Sequence, residues 1–316
     1  MEIHVMGSDQ RIVRCARVSY AKDEFSDPER DKKLIRYLFK HKHASPFEHN
    51  IVAFKATKKE WLCMVENSPN PSVQVYYSGG FVWMNLRNVI NTLNTVPLPV
   101  LSELKRYFPT TWAIIESRGE LSDKELYSLP YTTDKAFIVE KRETSCGWVA
   151  LVDRLELGTD MDYYTFIVEC PLFVARQWHR HRFGSFNEVS RRYTAFGIDF
   201  YIPEKLRKQA KTNKQASLEE AIEERKSGEF LERIRYFTDE CRKLYGEMVD
   251  EGVARELARG ILPQFMKTRF YWTVPRIALD NFITLRTHEG AQEEIRELAL
   301  AIKNMVGHRK TDTNVL

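Results

Sequence analysis

Arg176-Gln177-Trp178-His179-Arg180-His181-Arg182-Phe183-Gly184-Ser185-Phe186-Asn187-Glu188-Val189-Ser190-Arg191-Arg192-Tyr193 is the stretch on which the reading of this chain turns. It follows Pro171, which can open a helix because a proline in the first turn loses no intrahelical hydrogen bond. The pattern predicts a helix from Leu172 to about Arg182. On such a helix Gln177 shares a face with Arg180 and His181, and Arg176 shares one with Arg180. Like charges at that spacing repel, so the arginines cost stability unless anions compensate them. Guanidinium forks match phosphate oxygens, and Ser190 with nearby backbone amides suits the same ligand. The segment therefore points to a phosphate-bearing ligand. Two other readings compete, a solvated basic helix face and a nucleic-acid contact. Interleaved aromatic residues and the Gly184-Ser185 break weigh against them, as does Glu188, which would repel backbone phosphates.

Around this stretch the chain alternates strand and helix signals. Tyr163-Tyr164-Thr165-Phe166-Ile167-Val168 is a β-branched and aromatic run that predicts a strand, as does Thr268 to Val274. Pro275 opens a helix ending near Arg286, and Ala291, Ile295, Leu298 and Ile302 mark a last one. Leu231, Ile234, Phe237, Cys241, Leu244 and Met248 predict one face of a long amphipathic helix that Gly252 ends. A shorter helix carries Arg255 and Arg259. Upstream, Ile12 to Tyr20 is an apolar segment with two arginines. Ser26-Asp27-Pro28-Glu29 then supplies a cap for a helix burying Leu34, Ile35, Leu38 and Phe39. His43-Ala44-Ser45-Pro46-Phe47-Glu48-His49 is a polar turn before a strand at Ile51 to Phe54. Between Lys55 and Met161 the signals are sparser: a helix near Trp61, a turn at Ser68-Pro69-Asn70-Pro71, a hairpin at Tyr76 to Phe81, and a helix starting at Asn85 with Val89, Ile90 and Leu93. The class is α+β with helices predominating.

Composition narrows the function. The 316 residues carry a formal charge of only +4, which does not suit a strongly basic nucleic-acid binder. The N-terminus shows no basic region followed by an apolar one, and no long apolar run suggests a membrane span, so a cytoplasmic protein is expected. Cys15, Cys63, Cys146, Cys170 and Cys241 lie far apart with no C-x-x-C pair, which argues against a disulfide framework or a zinc site. They read as small buried hydrophobes. No metal is expected.

Arg180-His181-Arg182, seven residues and then Ser190 resemble the signature of the flavin-dependent thymidylate synthases, the ThyX family. Further segments resemble the family in its order: Cys15 to Ser19, Pro46 to His49, Phe173 to Trp178, Phe200 to Pro203, Ala258 to Pro263, Thr268 to Thr273 and Asn281 to Arg286. The resemblance covers roughly 10–54 and 162–305. It implies a ThyX-like core of mixed sheet and long helices, with an insertion of about a hundred residues. The expected division is 1–54 and 162–316 as the two parts of a catalytic core, with 55–161 as an insertion subdomain.

The resemblance also implies reductive methylation of dUMP to dTMP. Methylenetetrahydrofolate would give the carbon, and FAD reduced by NADPH the hydride. The family is similarly homotetrameric, with shared sites where subunits meet. By motif position, Gln177, Arg180, Glu188, Val189, Ser190, Arg192, Arg259 and Arg286 resemble dUMP contacts. Arg286 resembles the catalytic cation that favours the ionised uracil ring. Ser45, Arg180, His181, Arg182, Glu188 and Asn281 resemble FAD contacts, with His43 a further candidate. Ser190 has no motif partner that would activate it as a nucleophile, so it reads as a hydroxyl donor to phosphate.

Two positions depart from the family pattern. Arg191 stands where many members have glycine, so it must point away or make its own phosphate contact. Val274-Pro275-Arg276-Ile277 stands where the family usually has Asn-x-Arg, whereas Asn85-Leu86-Arg87 restores that triplet inside the insertion. The inserted segment reads first as a peripheral subdomain that thickens the subunit or modifies oligomer contacts; the competing hypothesis is that Asn85 and Arg87 replace the missing flavin contacts. Two other functional readings remain open. One is a catalytically degenerate member that binds flavin or nucleotide without turnover. The other is a nucleic-acid-binding protein using the arginine-rich helix.

Overall fold

The computed structural model describes residues 1–21, 27–68, 73–135, 137–210 and 217–307. Strand β1 (Ile3–Met6) leads into α1 (Asp9–Arg17), capped by the Ser8 hydroxyl, which accepts from Arg11 N. The apolar segment at Ile12 is therefore helical, with Ile12, Val13 and Cys15 buried. Asp27 caps α2 (Pro28–Lys40) by accepting from Glu29 N, while Ser26 lies outside the described residues. Ile35 and Leu38 are buried on α2, and Leu34 and Phe39 pack partly buried beside them. A 3-10 turn, Ser45–His49, then delivers the chain to β2 (Ile51–Lys55).

The segment expected as an insertion is woven into both sheets. A Thr57–Glu60 capping box starts α3 (Lys58–Glu66), whose Trp61 stacks on Tyr77; the Pro69-Asn70-Pro71 part of the following turn lies outside the described residues. β3 (Tyr76–Ser78) and β4 (Phe81–Asn85) form the expected hairpin through Gly79 and Gly80, at φ of 60° and 83° where a side chain would be strained. Asn85 ends β4 and caps α4 (Leu86–Asn91), with Leu93 beyond the helix end. Prolines 97, 99 and 109 punctuate α5 (Leu98–Tyr107) and α6 (Pro109–Glu116), followed by α7 (Asp123–Ser128), β5 (Glu140–Glu143) and β6 (Trp148–Leu155).

The second half holds β7 (Tyr163–Pro171), α8 (Leu172–Trp178), β8 (Ser185–Glu188), β9 (Arg207–Gln209) and β10 (Ser217–Ala221). Then come α9 (Glu224–Asp250), α10 (Arg255–Ala258), β11 (Lys267–Pro275), α11 (Arg276–Thr287) and α12 (Glu293–Val306). Arg259 lies just past α10, in a 3-10 turn, and Ala291 lies just before α12.

The four-stranded sheet has the order β1-β2-β4-β3 and the five-stranded sheet β5-β6-β7-β11-β8; every pairing among the described residues is antiparallel. The α+β class is as expected. The larger core lies between the five-stranded sheet and α8, α11 and α12. There Trp178, Trp272 and Phe282 are fully buried and mutually in ring contact. Each such side chain contributes about 1.5–3 kcal/mol of burial. A second core joins α1, α2 and the four-stranded sheet to α5 and α6. No helix among the described residues is long and apolar enough to cross a membrane.

Two expectations are corrected. The helix after Pro171 stops at Trp178, four residues short of Arg182. Arg180 N donates to Gln177 O and His181 N to Trp178 O, so the chain tightens into a turn before Ser185 pairs with Thr273 in β8. Gln177, Arg180 and His181 thus do not share a continuous helix face. On α9 the buried positions are Ser227, Leu231, Thr238 and Tyr245, whereas Phe237 is 55% and Leu244 48% exposed. The helix docks on a narrower, more polar face than hydrophobic periodicity implied.

Candidate functional site

Pairing of β8 with β11 sets the site. Asn187 stands opposite Tyr271 and Glu188 opposite Phe270, and Glu188 accepts a hydrogen bond of 2.7 Å from Thr268 Oγ1. The chain leaves β8 through Val189, whose N donates to Arg269 O, and Ser190, whose N donates to Ser19 O at the end of the first helical segment. A cavity of about 580 Å³ opens here. The structure brings Ser45, Glu188, Val189, Ser190, Arg192 and Arg259 together around it, with His43 on the same wall. Tyr20 and Tyr193 stack at its edge with centroids 5.3 Å apart. Ser190 Oγ accepts from Arg192 N at 3.4 Å, a weak contact that an anion can replace.

A second group forms where the turn after α8 meets the end of α11. Arg286 Nε donates to His181 Nε2 at 3.0 Å, and its Nη2 donates to Gln177 O at 3.1 Å. Gln177 in turn donates to Gln292 Oε1 at 2.5 Å. Burial, then the Arg286 charge, push the His181 imidazole down to about 4, so at neutral pH it is uncharged and able to accept that hydrogen bond. Arg286 therefore keeps its charge among uncharged partners, an imidazole, an amide and a carbonyl. Its position is half-buried.

Arg182 falls in a third place. It lines a cavity of about 330 Å³ together with Asn85, Arg87, Gly184 and Pro275. Arg180 is exposed in the turn, and Asn281 is exposed on α11; neither lines these cavities. Arg191 points away from the cavity at Ser190: it is buried and donates to Phe196 O at 2.6 Å and Gly197 O at 2.9 Å. Its guanidinium holds its own loop closed.

His49 is a site element that the sequence did not single out. Fully buried, it contacts Thr273 Oγ1 at 2.8 Å through Nδ1 and Asn187 Oδ1 at 3.1 Å through Nε2. Burial pushes it down to about 3, so it stays neutral. It ties the turn carrying Ser45 to the strands carrying Glu188. Nothing local marks it, because its partners lie 138 and 224 residues away.

Cysteine chemistry finds no support here. Burial raises the thiols of Cys15 and Cys170 well above the ordinary value and that of Cys146 to about 12, which disfavours a thiolate. Cys63 is exposed rather than buried and Cys241 half-buried, and neither lines the cavities just described. Among the described residues no group of three or more His, Cys, Asp or Glu side chains is placed to hold a metal.

Comparison with known proteins gives this arrangement its context. The family model described as thymidylate synthase complementing protein matches residues 3–66 and 159–309, well over half of the chain. A flavin-dependent thymidylate synthase from Aquifex aeolicus (strain VF5) is 64% identical over 313 residues, 99% of this chain and 98% of the relative. The chain belongs to the flavin-dependent thymidylate synthase family. A flavin-dependent thymidylate synthase from Thermosipho melanesiensis is 29% identical over 95% of this chain and 81% of its own length. The Aquifex alignment runs through 67–158, where the family model does not match, so that relative carries the segment too. Among solved structures, the UMP/dUMP methylase PolB from Streptomyces cacaoi is 22% identical at a TM-score of 0.41, covering 96% of this chain and 89% of its own. That likeness is too distant to bear on the site.

Proposed function

We propose that this chain is a flavin-dependent thymidylate synthase that methylates dUMP to dTMP, taking its carbon from methylenetetrahydrofolate and its electrons from FAD reduced by NADPH. The observation that carries this reading is 64% identity to a relative of that name from end to end. The donor set fits both ligands. Arginine forks and a serine hydroxyl suit a nucleotide phosphate, and Tyr20, Tyr37, Phe186 and Tyr193 give a planar ring surfaces to stack on. What the flavin supplies when bound is the hydride that completes the methyl group.

The protein's part is to bind and polarise. Ser190, Arg192 and Arg259 hold the dUMP phosphate, and Gln177, Arg180, Glu188 and Val189 orient its sugar and base. Arg286 stabilises negative charge developing on the uracil ring, and it can do so because neutral His181 leaves its cation uncompensated. Ser45, Arg180, His181, Arg182, Glu188 and Asn281 hold the FAD.

The chain works as a homotetramer in the cytoplasm, each site completed by neighbouring subunits. Support comes from the separation of the site residues into three groups on one subunit, and from an apolar stripe on α9 that this subunit covers only in part, with Phe230, Phe237 and Leu244 exposed. Phe230, Ile234, Phe237, Cys241, Leu244 and Met248 alternate at spacings of four and three, the heptad pattern of a helix packing on another helix. Phe230 is 47% exposed.

The test is anaerobic incubation of the protein and FAD with dUMP, methylenetetrahydrofolate and NADPH, followed by chromatography of the nucleotides. The reading expects dTMP, and Arg286→Ala should lower its rate by at least about a hundredfold, as loss of a transition-state charge partner does. No dTMP from a folded, FAD-bound protein would instead indicate a member that binds without turnover.

A further inference from the structure

The stretch 55–161 contributes a wall to the 330 Å³ cavity at Arg182. Residues of the four-stranded sheet and of the five-stranded sheet meet there. β4 ends at Asn85, which caps α4, and β11 ends at Pro275, which precedes α11 in the same way. At the β11–α11 junction the first backbone donors are missing or already engaged. Pro275 has no N–H. Arg276 N and Ile277 N donate to Asp162 O and Asp160 O. The Arg276 side chain turns into the core, where it forms a buried ion pair with Asp280 at 2.7 Å.

The donors come from the opposite side. Asn85, Arg87, Asn91 and Gln74 line the cavity together with Arg182. Among the described residues its charged lining is Arg87, Arg182 and Glu48, an excess of one positive charge. Glu48 pairs with Nη1 of Arg87 and fixes the guanidinium at the rim. Capping of α4 engages only the side-chain carbonyl of Asn85. Tyr76 of β3 packs on Phe183 with centroids 5.1 Å apart, clasping the arginine-rich turn from the same side. Gly184 lets its own lining segment pack closely on β11, since an added Cβ would lie 2.8 Å from Trp272 Nε1. A neighbouring cavity of about 830 Å³ shares Arg87 and Asn91 with this one and Leu38 with the cavity at Ser190.

We infer that this cavity is a diphosphate subsite built by the inserted segment, in which Asn85 and Arg87, together with Arg182, receive the diphosphate of a bound dinucleotide. The inference rests on the proposed function, which supplies two such ligands, FAD and the nicotinamide reductant. A planar guanidinium held by a carboxylate and a second one lining the same polar cavity match the chemistry of a diphosphate. They do not match that of an uncharged ring.

The test is isothermal titration calorimetry of the full chain, stripped of flavin, with FAD, riboflavin and NADP⁺ in turn. Arg87→Met keeps the length of the side chain and removes its charge; Asn85→Ser keeps a capping oxygen on α4. Circular dichroism confirms that each variant is folded. We expect Arg87→Met to weaken FAD by about tenfold or more, the worth of one charge-assisted hydrogen bond, while riboflavin, which has no phosphate, binds as before. Asn85→Ser should weaken FAD in the same direction. A loss confined to NADP⁺ would assign the subsite to the reductant. Unchanged affinity of both variants for FAD and NADP⁺, with wild type binding normally, overturns the inference and leaves the proposed function standing. Wild type that binds none of these ligands overturns both.

Discussion

Removing Asp280 should expose how the β11–α11 junction is held. Arg276 is 3% and Asp280 2% exposed at the side chain, and the fork is bidentate, Nε to Oδ2 at 2.7 Å and Nη2 to Oδ1 at 2.9 Å. Truncating one member of a buried pair strands the other charge and typically costs about 3–5 kcal/mol. Here Arg276 also donates to Val306 O at 3.0 Å and Gly307 O at 3.2 Å, so the stranded guanidinium keeps neutral acceptors. The lower end, about 3 kcal/mol, is therefore expected for Asp280→Leu. For a chain of 316 residues that corresponds to a fall in Tm on the order of 4–5 °C. The double variant Arg276→Met/Asp280→Leu should return to within about 1 kcal/mol of wild type, because no buried charge remains. Urea unfolding and a thermal scan of all three proteins measure this. A single variant that loses less than about 1 kcal/mol would show the pair to be solvated, and would refute the claim that Arg276 is committed to the core.

Other consequences can be checked alongside. His49 and His181 have values lowered to about 3 and about 4, below the ordinary 6.5, so the unfolded chain binds their protons first. Stability should rise with pH through that window and fall on acidification from about 6.5; His49→Gln should flatten the slope in a denaturation series from pH 4.5 to 7. Gly184→Ala places a Cβ 2.8 Å from Trp272 Nε1 and 3.1 Å from Thr273 O, and overpacking of that kind costs about 1–3 kcal/mol. Its Tm and its retained flavin absorbance should fall together. Arg191→Ala should lower Tm by removing two hydrogen bonds to its own loop, yet leave dUMP affinity by calorimetry within about threefold.

Local chemistry carried much of the fold. The Asp27-Pro28 start of α2, the Gly79-Gly80 hairpin, the aromatic strands β7 and β11, and Pro275 before α11 were all readable because each depends on neighbours in sequence. Features set by distant partners were not. The early end of α8 follows from β8 seeking β11, some eighty residues ahead. The partly covered stripe of α9 looked like a buried face because periodicity reports that a stripe is apolar and not what covers it. Candidate residues followed the same division. Glu188, Val189, Ser190 and Arg192 are adjacent in sequence and share one cavity, whereas Arg182, ten residues from Arg192, opens onto another. His49 escaped notice because its role exists only once Asn187 and Thr273 are brought to it.

The most direct test of the central claim is the visible spectrum of the FAD-bound protein, bleached with NADPH under anaerobic conditions and then given substrates. The account predicts that the flavin bands return only when dUMP and methylenetetrahydrofolate are both present, with dTMP formed in step. Flavin that stays bleached with both substrates, or that reoxidises equally without dUMP, would contradict it.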